Sequence, residues 1–141
     1  MMLDWMLMPY RRYTDFSGRS QRKEYWMFAL FSAIVTLVVL ALMFGGMPAM
    51  DEYGAPGDPG MMFYVGIGLL VLFGLGSIVP SIAVQVRRFH DQDKSGWFVL
   101  LSLIPFIGGL IVLVFMFLEG TKGPNRFGPD PKDPAGSEVF S

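Results

Sequence analysis

The side chain with the widest chemical range in this chain is His90, set in the stretch Arg87-Arg-Phe-His-Asp-Gln-Asp-Lys-Ser-Gly-Trp97. An imidazole titrates near neutral pH and can act as acid, base or metal ligand. It is the only histidine, and there is no cysteine. No His–His pair and no thiolate is therefore available for a metal within one chain. A general base also needs a nucleophile or second base in hydrogen-bond reach, and the sequence shows none near His90. Asp91-x-Asp93-x-Ser95-Gly96 matches the opening of an EF-hand calcium loop. The twelfth position, where the bidentate Glu belongs, is Ser102, so the match is accidental. The plainer reading is a salt-bridged turn: Arg87, Arg88 and Lys94 against Asp91 and Asp93, with Ser95 capping the helix that follows. A proton relay or pH sensor at His90 is the sharper alternative. With no catalytic constellation, we expect no enzyme, no metal and no cofactor.

Two other polar segments carry charge. Gly18-Arg-Ser-Gln-Arg-Lys-Glu-Tyr-Trp26 precedes the first long apolar run. Ser20 is a candidate helix N-cap, and Glu24 sits near the positive end of the helix dipole. Tyr25 and Trp26 suit an interfacial aromatic belt. Arg19, Arg22 and Lys23 either set topology or meet anionic lipid headgroups, at about 1 kcal/mol per basic side chain. Ahead of them, Met1–Tyr13 either lies in the membrane interface or frays, and Pro9 limits any helix there. The Gly/Pro-rich tail offers Asn125, Arg126 and Asp130, which could pair with the other motifs if the tail lies on their side. The candidate lipid- or partner-binding set is Arg19, Arg22, Lys23, Trp26, Arg87, Arg88, His90, Asp91, Lys94, Trp97, Asn125 and Arg126.

The elements that position these residues are legible as apolar runs. Of 141 residues, 52% are hydrophobic and 16% charged, a charged share well below the roughly 25% of soluble domains. Three uncharged runs, about 25–47, 61–86 and 97–118, each exceed the roughly 20 residues that cross hydrocarbon. They do not alternate with period two, which excludes a transmembrane β-barrel pattern. The first is too long, with too long a leader, for a cleaved signal peptide. The expected fold is an all-α integral membrane protein, a small bundle of three transmembrane helices. A head (1–24) precedes the membrane domain (25–118), and a tail (119–141) follows it, with residues beyond Pro134 expected to be disordered. Gly74, Ser77, Ser81, Gln85 and Arg88 share one helix face, as do Ala29, Ser32 and Thr36. Such small and polar faces mark close helix packing in lipid, with a polar translocation path as the alternative. No ionisable residue lies deep in a run, where coupled transporters usually place one.

Basic residues set orientation. Head and second loop are basic, while the first loop (48–60) holds only acidic charge. The N-terminus is thus expected in the cytoplasm and, with three full spans, the C-terminus in the periplasm. Pro105 and Gly108-Gly109 leave a second path for the third run: a broken, re-entrant hairpin that returns the tail to the inside. Net charge is -1, so nothing draws the chain to nucleic acid.

Three ordered motifs around the runs, Phe16–Trp26, Arg87–Trp97 and Gly120-Thr-Lys-Gly-Pro-Asn-Arg-Phe-Gly-Pro-Asp-Pro131, resemble the domain-of-unknown-function family 805 of small bacterial inner-membrane proteins. The resemblance runs from about Tyr13 to Pro131. The loop 48–60 is longer than the family's connection, and Phe89 stands where an aliphatic residue is expected. The resemblance implies the bacterial inner membrane and three spans, and no activity. The resulting expectation is a non-enzymatic membrane protein. Its basic, aromatic platform on the cytoplasmic face contacts anionic lipid or a partner protein, in a homo-oligomer or beside another membrane protein. An oligomeric channel or carrier subunit is the alternative.

Overall fold

The computed structural model describes residues 1–133, and the expected disorder beyond Pro134 lies outside them. Among the described residues the elements are α1 (Met2–Arg11), α2 (Arg22–Gly45), α3 (Met61–Asp91), a 3₁₀ helix (Gly96–Leu103) and α4 (Gly108–Phe117). Strands are absent there apart from one isolated bridge between Asn125 and Gly128. Two compact units divide the chain: Leu30–Ile78, and Met1–Ala29 together with the chain from Val79 on.

The long helices follow from composition. α2 has 24 residues and α3 has 31, about 36 and 46 Å at 1.5 Å per residue. Both exceed the roughly 30 Å of a hydrocarbon core. They are apolar on every side, and Leu37 and Leu72 are about two-thirds exposed. A helix apolar all round needs lipid or a large core around it. Within Leu30–Ile78, Phe31 meets Phe73 edge-on at 6.4 Å and Phe44 meets Phe63 at 6.2 Å. Asp51 Oδ1 accepts from the N–H groups of Tyr53 and Ala55 at 2.9 and 2.8 Å, which orders part of the acidic loop. Of the small-residue stripe on α3, Ser77 is buried, while a side chain at Gly74 would meet open space.

The third apolar run is not one helix. The expected span over 97–118 is replaced by the eight-residue 3₁₀ helix, a turn, and the ten-residue α4. At about 2.0 and 1.5 Å per residue these are roughly 16 and 15 Å long, each about half a bilayer core. Pro105 removes a backbone donor, and Phe106 takes a left-handed φ of 69°. The Ile107 N–H reaches the Pro105 carbonyl at 2.9 Å across Phe106, the three-residue pattern of a γ-turn, and the Gly108 N–H reaches the Ile104 carbonyl at 3.0 Å. α4 then packs back along the 3₁₀ helix. A Cβ on Gly108 would lie 2.2 Å from the Leu101 carbonyl oxygen, so this approach needs glycine. Phe89, Val112 and Met116 form the buried core beneath the hairpin, with Trp26, Leu101 and Phe115 against it.

Three local expectations resolve here. Ser95 caps the 3₁₀ helix, its Oγ accepting from the Trp97 N–H at 3.4 Å. Ser20 does not cap α2; its Oγ accepts from Arg87 Nε at 2.7 Å. Met2–Arg11 is helical with Pro9 inside it.

Candidate functional site

The last turns of α3 carry Arg87, Arg88 and Asp91, and chain from three other segments closes over them. Arg87 is fully buried. Its Nη2 donates to Glu24 Oε1 at 2.7 Å and its Nη1 to the backbone carbonyl of Asp15. The Arg87 carbonyl in turn accepts from the Ser20 N–H at 3.2 Å. Arg88, equally buried, donates to Asp91 Oδ2 at 2.8 Å and to the carbonyls of Leu118 at 2.8 Å and Met116 at 3.3 Å. Arg19 donates through Nε to Asp91 Oδ1 at 3.0 Å, and on to the carbonyls of Thr121 (2.5 Å) and Gly123 (2.7 Å). Asp91 therefore bridges two guanidinium groups, one from the head and one from its own helix. Gly120 lies against it so closely that a Cβ there would sit 2.0 Å from Oδ2. One buried polar cluster thus ties the head, the end of α3, the returning end of α4 and the tail.

Two atoms in this region, Arg88 Nε and Gln92 Oε1, are buried without a hydrogen-bond partner. Burial pushes the Arg87 and Arg88 guanidinium groups down, with Glu24 and Asp91 pulling back; arginine still stays charged in proteins. Burial also pushes the Asp91 carboxyl up, against Arg88 and Arg19. Removing one member of such a pair costs about 3–5 kcal/mol, because the other is left buried and unpaired.

Asp93 stops α3. Its φ is 57°, the Lys94 N–H reaches the Phe89 carbonyl at 2.8 Å, and the Asp93 N–H reaches that of His90 at 3.0 Å. This is a Schellman C-cap with aspartate in the left-handed position. Asp93 then pairs with exposed Arg126 at 3.2 Å. The calcium-loop pattern is thus a helix stop, and among the described residues no group of three or more His, Asp or Glu side chains could hold a metal.

His90 is half-buried and faces three segments. Its Nδ1 lies 3.0 Å from the Gly18 carbonyl, so Nδ1 carries the hydrogen and Nε2 the lone pair. The ring stacks on Phe127 at 4.0 Å and 4°. Asn125 Nδ2 donates to the His90 carbonyl at 2.9 Å. Burial pushes the imidazole down; the Gly18 hydrogen bond opposes this, and Arg126 and Arg87 add to it.

The expected platform therefore separates into two populations. Arg19, Arg87, Arg88 and Asp91 are buried and occupied by one another and by backbone carbonyls; they present no charge at the surface. Lys23, Trp97 and Arg126 are exposed, and Arg22, Trp26 and Lys94 are partly so. Arg22 pairs with Glu119 at 2.9 Å. Lys23 Nζ lies 5.0 Å over the Trp5 ring and Lys94 Nζ 5.5 Å over Phe115. Trp26 Nε1 donates to the Met116 carbonyl at 3.2 Å. Arg22, Lys23, Trp26, Met27 and Phe117 line an open groove of about 400 Å³. Sequence reasoning missed Glu24 as the partner of Arg87. The two lie 63 residues apart, and no local spacing announces such a pair.

Among curated proteins, the chain is 45% identical over 130 residues to the inner membrane protein YhaH of Escherichia coli K12, covering 92% of this chain and 98% of that one. It is 40% identical over 133 residues to the inner membrane protein YhaI of the same strain, covering 92% and 97%. No solved structure matches. A family model described as a protein of unknown function, DUF805, matches residues 13–129. With two long apolar helices and inner-membrane relatives over nearly its whole length, this chain belongs to the DUF805 family, a family of unknown function whose relatives here are inner membrane proteins.

Proposed function

We propose that this is a non-enzymatic membrane protein whose buried charge cluster gathers head, loop and tail at the cytoplasmic face, where Arg22 and Lys23 meet anionic phospholipid headgroups. The observation that carries this reading is the groove of Arg22, Lys23, Trp26, Met27 and Phe117. Two cations stand over an aromatic and apolar floor, where an apolar helix begins. A phosphate on the cations and an acyl chain along Met27 and Phe117 would satisfy both halves. The gain is about 1 kcal/mol per basic side chain near an anionic surface, less at Arg22 because Glu119 already neutralises part of its charge.

Both termini face the cytoplasm in this proposal, in place of the periplasmic C-terminus that three full spans would give. All 11 Lys and Arg residues lie in 11–23, 87–94 and 122–132, and none in 48–60. The hydrogen bonds from Arg19 and Arg88 to the 116–123 backbone hold the tail beside the head. A single basic surface agrees with the positive-inside rule, whereas a translocated tail would carry three cations outward.

The test has two readouts. A reporter fused after Ser141 is expected to be active only in its cytoplasmic form; a periplasmic signal overturns the topology. In nanodiscs, the protein is expected to retain phosphatidylglycerol over phosphatidylcholine, with several-fold less preference in the double variant Arg22→Gln, Lys23→Gln. An unchanged lipid preference in that variant would sink the groove assignment.

A further inference from the structure

A cavity of about 520 Å³ shares no lining residue with that groove, Arg22 and Lys23 included. Four segments build it: Phe16 from the head, Ile82, Val86 and His90 from α3, Trp97 from the 3₁₀ helix, and Phe127 from the tail. Its size suits a small lipid or a ring with a short chain, and its walls are almost wholly apolar. The polar atoms in that wall are few and oriented. His90 Nδ1–H is committed to Gly18 and Phe127 holds the ring plane, so Nε2 is the edge left over. A Cβ on Gly96, which also lines the cavity, would stand 3.3 Å from Nε2 and 2.7 Å from Val86 Cγ1. Glycine there keeps the approach to Nε2 open. Ser95 Oγ accepts from the Trp97 N–H, which leaves its own hydrogen to donate.

We infer that this cavity binds a membrane-soluble lipid with a hydroxyl head, His90 Nε2 accepting the hydroxyl hydrogen while Val86, Trp97 and Phe127 hold the apolar body. The chemistry selects this class. No cation lines the cavity, so an anionic head finds no partner in its wall. A bare acyl chain would leave Nε2 unpaired in an apolar wall, and unpaired buried polar atoms are costly. Burial and the nearby Arg126 and Arg87 charges hold the imidazole in its neutral, accepting form. His90 sits one turn beyond the apolar run of α3, the depth at which the head of such a lipid meets water. Two membrane constituents share this chemistry: a neutral diacylglycerol and a reduced isoprenoid quinone.

The full-length protein, carrying isotope-labelled histidine in phosphatidylcholine nanodiscs, tests this directly. The chain has one histidine, so its ring nitrogen signals need no assignment by mutation. Dioctanoylglycerol, its methyl ether, and decylubiquinol are titrated separately. At least one hydroxyl ligand is expected to move the Nε2 signal saturably, and the ether to bind the protein at least tenfold more weakly than dioctanoylglycerol if that is the tighter ligand. The tighter of the two hydroxyl ligands identifies the source; if it is decylubiquinol, its dimethyl ether becomes the control with the same tenfold expectation. Gly96→Val should abolish the shift by filling the approach, and His90→Phe should erase the preference for alcohol over ether. Equal binding of alcohol and ether to the unaltered protein, or no saturable shift with either hydroxyl ligand, overturns the inference without recourse to a variant.

Discussion

The charged side chains of this protein differ far more in surroundings than in type. Glu24 and Arg87 are both buried and paired at 2.7 Å, whereas Asp93 and Arg126 pair at the surface. Glu24→Gln is expected to cost about 3–5 kcal/mol, because Arg87 stays buried with its charge uncompensated. Arg126→Gln should cost less than about 1 kcal/mol. Denaturant unfolding of both variants in detergent micelles measures the contrast, and similar losses would contradict it. His90 contributes a pH dependence just below neutrality. Its folded pKa is depressed, so the unfolded chain takes up the proton first. Its contribution is present above about pH 6.5 and is lost as pH falls through the lower folded value. Thermal unfolding between pH 7.5 and 5 should therefore show a steeper loss of stability in the unaltered protein than in His90→Gln, about pH values chosen to bracket that window.

Among the elements, the hairpin that replaces the third span has the sharpest prediction. Gly108 and Gly109 are neighbours with opposite surroundings: a Cβ on Gly108 meets the Leu101 carbonyl oxygen at 2.2 Å, and one on Gly109 meets nothing. Gly108→Ala should destabilise by about 1–3 kcal/mol through overpacking. Gly109→Ala should be neutral or stabilise by up to about 1 kcal/mol through helix propensity. Comparing the midpoints of the two variants is sufficient, and a loss at Gly109 would refute the packing described. The break was legible from Pro105 and the paired glycines, and the two long helices from uncharged length. Which path the broken run takes was not legible, because Arg88 and Gln92 hold it by carbonyls of Phe115, Met116 and Leu118. Backbone acceptors carry no sequence signature. The same reason hid the burial of Arg19: its acceptors Thr121 and Gly123 act through their carbonyls. Ser95 and the Arg88–Asp91 pair were legible because cap and i,i+3 spacings are local.

For the molecule as a whole, the tail serves as a closure. Thr121, Gly123 and Gly128 supply carbonyls to Arg19, and Phe127 stacks on His90. A chain ending at Glu119 should still insert, since α2 and α3 keep their apolar surfaces. It should unfold at lower temperature and be cut by protease within the head and the 87–97 loop. Protease resistance equal to that of the full chain would show that the tail closes nothing.

That closure has a consequence for biosynthesis. Arg19 leaves the ribosome early, and its acceptor at Gly123 is made 104 residues later. At ordinary elongation rates that is a delay of about 5–20 s, during which two apolar helices enter the bilayer. Until residues 121–123 emerge, the Arg19 guanidinium lacks the carbonyls that complete its site and stays hydrated. A segment translated late is therefore the one that dries and locks a segment translated early. A nascent chain stalled or clipped before residue 121 would carry that difference as a chemical mark of incompleteness, accessible to proteases that patrol the membrane surface.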